Sequence, residues 1–70
     1  IQLDIRLFGH YDSFDTLNAK NCFLRCLSEM NCVASTFTKD SNWPTNCYLY
    51  ERGFTETKEK LWISYFKADE

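Results

Sequence analysis

The stretch that decides the fold is Asn18-Ala-Lys-Asn-Cys-Phe-Leu-Arg-Cys-Leu-Ser-Glu-Met-Asn-Cys32. It predicts one helix that carries two cysteines, followed by a tight turn that leads to a third cysteine. At 100° per residue, the apolar residues between Ala19 and Met30 fall within an arc of roughly 140°, and only Leu24 breaks the pattern. The members of this arc are Ala19, Cys22, Phe23, Cys26, Leu27 and Met30. Asn18 is a suitable N-cap. Asn31 tolerates the left-handed backbone that ends many helices, so we expect the chain to turn there and start a strand at Cys32.

The length and composition predict one small domain over residues 1–70, with a core that is barely sufficient by itself. Hydrophobic residues make up 44% of the chain and aromatic residues 17%, which is typical of a globular protein. Four cysteines, an even number in a short chain, favour disulfides, an oxidising compartment and therefore a secreted, extracellular protein. Their spacing, C-x3-C-x5-C-x14-C, lacks the paired C-x-x-C of most structural zinc sites, so we expect neither a metal nor a cofactor.

The charge balance limits the kinds of partner. The net charge of −2 and pI of about 5.3 argue against nucleic acid or heparin, because no excess positive field attracts phosphate or sulfate. No apolar run approaches the roughly 20 residues of a membrane span, so no membrane insertion is expected. The chain opens on Ile1, which is typical of a processed secreted protein or of a module cut from a longer chain.

The rest of the chain alternates strand patterns with turn-forming stretches. Ile1–Phe8 alternates apolar and polar residues, as a half-buried strand does. The other predicted segments are a polar connection over His10–Asp15, a strand over Cys32–Lys39, a loop over Asp40–Asn46, a strand over Cys47–Glu51, a turn at Arg52-Gly53, an exposed charged connection over Thr55–Lys60 and a central closing strand over Leu61–Lys67. This order predicts an α+β fold with a single helix packed on one face of an antiparallel β-sheet, stapled by disulfides.

Four cysteines allow three disulfide connectivities. A bond between Cys22 and Cys26 would distort the helix, since side chains one turn apart project side by side. Two arrangements remain. In the first, Cys26 bridges to Cys32 across the helix exit and Cys22 reaches Cys47 on the sheet. The crossed alternative pairs Cys22 with Cys32 and Cys26 with Cys47, and it strains the short exit.

The cysteine and strand pattern resembles the PAN/apple family. The residues that carry the likeness are Cys22 and Cys26 on the helix, then Cys32, Ala34 and Phe37, then Cys47-Tyr48-Leu49 and the closing Ser64-Tyr65-Phe66-Lys67. The resemblance spans roughly Leu7 to Lys67 and implies the pairs Cys22–Cys47 and Cys26–Cys32. Apple domains often have a further disulfide that joins the terminal strands. This chain has no cysteine for it and is similar to the simpler PAN form. The resemblance implies binding of proteins or carbohydrates outside the cell, with no shared catalytic residue.

Aromatic residues are the candidates for a binding site. Trp43 lies in a loop of small polar residues, and Tyr48 and Tyr50 point away from the sheet face that holds Cys47. A ligand site is therefore predicted around Trp43, Asn42, Asn46, Tyr48, Tyr50 and Arg52, because exposed rings stack on sugars or anchor protein partners. In the alternative, Trp43 folds back over the sheet and the tyrosines cover a second small core.

Catalytic and calcium-binding patterns are weak. His10 lies near Asp12, Ser13 and Asp15, but residues so close on one short loop seldom assemble a triad. The spacing of Asp12, Asp15 and Asp40 is not that of a calcium loop. We therefore expect a non-enzymatic module for protein–protein recognition or adhesion. The alternatives are a lectin-like carbohydrate-binding domain and a small secreted inhibitor or antagonist of a host protein.

Overall fold

The computed structural model describes residues 2–67, so Ile1 of the first predicted strand lies outside the described residues, as do residues 68–70. The elements are β1 (Gln2–Phe8), β2 (Asp12–Phe14), α1 (Ala19–Leu27), β3 (Ala34–Thr38), β4 (Cys47–Tyr50) and β5 (Thr55–Phe66). All five strands form one antiparallel sheet in the order β1-β5-β3-β4-β2, and α1 packs on β3 and β4. The prediction of an α+β fold with a single helix on an antiparallel sheet is confirmed.

The helix begins where the sequence predicts and ends earlier. The Asn18 side chain accepts a hydrogen bond from Asn21 N at 2.9 Å, so the predicted N-cap is confirmed. The helix ends at Leu27, and Ser28 is a right-handed C-cap. The prediction of a left-handed backbone at Asn31 is wrong, because the φ angle of Asn31 is not positive. The chain leaves the helix through a turn in which Cys32 N donates to Glu29 O at 3.2 Å.

Two strand segments were missed because their patterns are polar. β2 lies within the predicted His10–Asp15 connection and pairs with β4 at the edge of the sheet. The segment over Thr55–Lys60, expected to be a connection, is the first half of β5, and its residues Thr55 to Lys58 pair with Phe8 to Ile5 of β1. The side chains of Thr55 to Lys58 are exposed, so burial puts no apolar alternation on them. The second half of β5 pairs with β3, which confirms the central position predicted for Leu61–Lys67.

A break in register interrupts the pairing of β1 with β5. Along β1 the partner changes from Ile63, opposite Leu3, to Lys58, opposite Ile5. Asp4 and Leu61 lie in this irregularity with positive φ angles of 60° and 72°. Such bulges bend a strand and increase its twist. The bend lies between the two parts of β5 that pair with β1, residues 55–58 and residues 63–64.

The sheet has an apolar cluster on each face. On the helix side the cluster contains both disulfides, Cys22–Cys47 and Cys26–Cys32, together with Phe37 and Leu49. The structure therefore contains the first of the two connectivities and not the crossed one. On the opposite side lies a second cluster, made by Leu7, Ala34, Tyr48, Tyr50 and Trp62. Because β4 side chains alternate, Cys47 and Leu49 face the helix while the two tyrosines face away.

Candidate functional site

A groove of about 260 Å³ opens over the second cluster, on the sheet face away from the helix. We call it the Arg6 groove. It is lined by Arg6, Leu7, Phe8, Gly9, His10, Trp43, Tyr48, Tyr50 and Trp62. β1 and the turn after it form one wall, and Trp43 from the loop before β4 reaches over from the other side. The lining is mainly aromatic, and its cationic group is the Arg6 guanidinium.

The Arg6 guanidinium is the centre of the groove. It lies 4.1 Å from the ring centroid of Trp43, 4.4 Å from that of Phe8 and 4.9 Å from that of Trp62. Each distance is within the range of cation–π attraction. Arg6 Nη1 also contacts the Glu59 carboxylate at 3.4 and 3.5 Å, longer than a strong charge-assisted hydrogen bond. The guanidinium therefore has three aromatic contacts and one long ion pair.

Hydrogen bonds fix the floor of the groove. Tyr50 is 1% exposed, and its hydroxyl donates to Leu7 O at 2.8 Å. With that proton committed, the Thr36 hydroxyl, 3.0 Å away, is the donor to the Tyr50 oxygen. Burial raises the pKa of Tyr50 to about 12, so the phenol is neutral at physiological pH. These bonds tie β1 to the middle of the sheet and make the floor rigid.

The rim of the groove is more accessible. Tyr48 donates its hydroxyl to Thr45 O at 3.0 Å, which orders the loop that carries Trp43. The His10 ring stands edge-on to Tyr48, with centroids 4.9 Å apart, and His10 is exposed. Phe8 is 41% exposed. A ligand entering the groove would therefore meet Phe8 and His10 first and the guanidinium below them.

Three of the six predicted ligand residues line this groove. Trp43 is half-buried and packs edge-on to Trp62 at 5.3 Å, so it folds back over the sheet. Tyr48 and Tyr50 are buried in the second cluster. This arrangement is the alternative that the sequence left open, with the tyrosines in a second core. Trp43 lines the groove and is only partly buried.

The other three predicted residues lie elsewhere. Asn46 bridges to Thr16, accepting from its backbone N and donating to its carbonyl, both at 2.8 Å, so its amide holds the chain before the helix. Asn42 is exposed in the loop and its backbone N bonds to Asp40. Arg52 lines a different depression with Met30 and Glu51. The structure does not bring these three side chains to the Arg6 groove.

Sequence reasoning missed Arg6, Phe8 and His10 as site residues. Arg6 occupies a polar position of an alternating strand, where an arginine usually points to solvent. The positions of Arg6 and Trp43 are far apart in the chain, and they meet because β1 joins the sheet next to β5, which carries Trp62. The one local signal was an arginine two residues before an aromatic residue and a glycine.

The polar residues of β2 make local contacts. Asp12 Oδ1 accepts from the backbone N of Ser13, and Ser13 lies on β2 opposite Tyr48. Among residues 2–67, no group of three or more His, Cys, Asp or Glu side chains is placed to hold a metal ion. No helix in that part of the chain has the length and apolar character needed to cross a membrane.

Comparison with protein-family models, curated proteins and solved structures finds no match to this chain.

Proposed function

We propose that the chain is a non-enzymatic, secreted binding module of the PAN/apple type that recognises a protein partner outside the cell. The PAN/apple assignment is supported by the disulfide framework, which ties the helix to β4 and closes the helix exit. Two disulfides in a chain of this size are typical of oxidising, extracellular compartments.

The observation that carries the binding role is the Arg6 groove. It brings together a partly buried tryptophan, Trp43, and the Arg6 guanidinium, and Trp and Arg are among the residue types that most often dominate the energy of protein interfaces. The floor is already rigid, because Tyr50 is hydrogen-bonded to Leu7 and Thr36. Binding there would lose little ordering entropy.

A second candidate function is carbohydrate binding. The partial exposure of the Trp43 and Phe8 side chains favours it, because aromatic rings stack on the apolar face of a sugar. The two functions differ in the partner that they select, so one experiment separates them.

Site-specific photo-crosslinking tests the proposal. Phe8→p-benzoylphenylalanine places the probe at the groove rim, and Leu24→p-benzoylphenylalanine places it on the helix at a similar exposure, 48% against 41%. Both photo-probe variants are irradiated in extracellular fluid of the source organism. In parallel, the unmodified domain is applied to a glycan array. We expect a protein adduct from position 8 that excess unmodified domain competes away, and none from position 24. Glycan binding without a protein adduct would favour the second function, and equal adducts at both positions would refute the groove as the site.

A further inference from the structure

The charges of the residues that line the Arg6 groove indicate the charge of the ligand group that fits there. Arg6 and His10 are the lining residues with basic side chains, and the nine lining residues include no carboxylate. Among the described residues the carboxylate that approaches Arg6 is that of Glu59, which is not one of the lining residues. A positive group at the base of an aromatic cleft is complementary to an anion that carries apolar surface.

The ion pair of Arg6 is weak enough for a ligand to replace. Glu59 approaches only Nη1, and the Glu59 side chain is 40% exposed against 18% for Arg6. A pair with contacts this long, made by one nitrogen and with an exposed carboxylate, contributes little to stability. A carboxylate that enters from the groove can therefore compete with Glu59 without a change in the fold.

A neutral sugar fits the groove less well than an acidic side chain does. Sugar hydroxyls require several donors and acceptors, but the hydroxyls of Tyr48 and Tyr50 are already committed to Thr45 O and Leu7 O. The volume of about 260 Å³ is below that of a typical drug-sized pocket and suits one side chain of a partner.

We infer that the Arg6 groove binds an acidic side chain of a partner protein, with the carboxylate on the Arg6 guanidinium and adjoining apolar atoms against Trp43 and Phe8. This inference rests on the proposed binding function and names the chemistry that the site selects. Glu59 then acts as an internal competitor that the partner's carboxylate displaces.

Small probes of matched shape test the charge preference. Phenylacetate, phenylacetamide and 2-phenylethylammonium are titrated into the isotope-labelled protein at low ionic strength, with glucuronate as the carbohydrate probe, and the indole and Arg6 Nε–H signals are followed by NMR. We expect phenylacetate to bind most tightly and to shift the Trp43, Trp62 and Arg6 signals. Stronger binding of the ammonium compound or of glucuronate, equal binding of the amide, or no shift with any probe would overturn the inference.

Two variants separate a ligand contact from a structural effect, because both remove the same ion pair. Arg6→Gln should weaken phenylacetate binding about tenfold or more, since the charged partner is lost. Glu59→Gln should tighten it about twofold to fivefold, the range that an exposed ion pair is worth. Weaker binding in both variants would mean that the pair only supports the groove, and this would refute the competition. If Arg6→Gln does not fold, Glu59→Gln with Arg6→Lys gives the same test.

The crosslinking result remains independent of these titrations. An adduct at position 8 together with no preference for phenylacetate would overturn the acidic-side-chain inference and leave the binding function in place. Equal adducts at positions 8 and 24 would refute the Arg6 groove as the binding site, and the inference with it.

Discussion

Removing the Tyr50 hydroxyl should destabilise the domain far more than the size of the change implies. Tyr50→Phe deletes one oxygen, but that oxygen donates to Leu7 O and accepts from Thr36. The residue is 1% exposed, so water does not replace either bond without local opening. Two groups are left without their partner in a buried site, where each such loss costs on the order of 1 kcal/mol or more. We therefore expect the free energy of unfolding to fall by about 2 kcal/mol, most of it from the unsatisfied groups.

The assay is reversible thermal and urea unfolding with the disulfides intact. A loss of about 2 kcal/mol corresponds to a melting temperature lower by roughly 8–16 °C in a chain of this size. Tyr48→Phe is the matched control, since it makes the same chemical change two residues earlier on the same strand. Its hydroxyl meets Thr45 O in a partly buried loop, so we expect a loss below about 1 kcal/mol. Equal losses in the two variants would refute the argument that the Leu7 and Thr36 contacts matter.

Four other perturbations give further checks. Cys22→Ser should destabilise more than Cys26→Ser, by about 3.5 against about 2.2 kcal/mol on a chain-entropy basis, because the first disulfide spans 25 residues and the second spans 6. Denaturant unfolding measures both losses, and a reversed order would contradict this expectation. The stability that the neutral Tyr50 phenol contributes should be fully present below pH 10 and should be lost as the pH rises towards 12, because burial raises the pKa of Tyr50 from 10.0 to about 12. The loss of unfolding free energy over this range should be smaller in Tyr50→Phe, and an identical pH profile would exclude Tyr50 as its source. Ser35→Ala should be neutral or stabilising by calorimetry, since the Ser35 hydroxyl is buried without a hydrogen-bond partner in the described structure; a large loss would reveal a contact to water. Trp43→Ala should lower the melting temperature by several degrees, because the ring packs on Trp62 and under the Arg6 guanidinium, and an unchanged value would mean that the ring is free.

The sequence predicted those parts of the fold that depend on local pattern. Asn18 caps the helix through its own side chain, and the helical period places Cys22 and Cys26 on the buried face. The alternation of β4 correctly separated the faces of Cys47 and Tyr48. These features need only the chemistry of neighbouring residues.

Features that depend on distant pairing were missed. The Thr55–Lys58 segment is charged and exposed, and it is a strand because β1 supplies its hydrogen bonds. The helix ends at Leu27, which leaves Met30 fully exposed although the apolar arc included it. Periodicity reports which side chains can be buried together, but not which strand a polar segment will join.

The candidate site was likewise predicted where it depends on local sequence and missed where it depends on distant pairing. Trp43 was recognised from its unusual loop context. Its meeting with Arg6 depends on the placement of β1 beside β5, which no local pattern encodes. Asn46 was expected at the ligand and instead holds Thr16, because an amide can replace a pair of backbone hydrogen bonds.

The most direct test of the account is the affinity of the captured partner for two variants with matched exposure. Phe8→Ala truncates a ring at the groove that is 41% exposed, and Leu27→Ala truncates a side chain on the helix that is 50% exposed. Surface plasmon resonance measures both against the unmodified protein, with melting temperatures recorded alongside. If the Arg6 groove is the binding site, Phe8→Ala weakens binding about tenfold or more and Leu27→Ala changes it less than about twofold. Full affinity in Phe8→Ala together with a loss in Leu27→Ala would contradict the account and place the site on the helix.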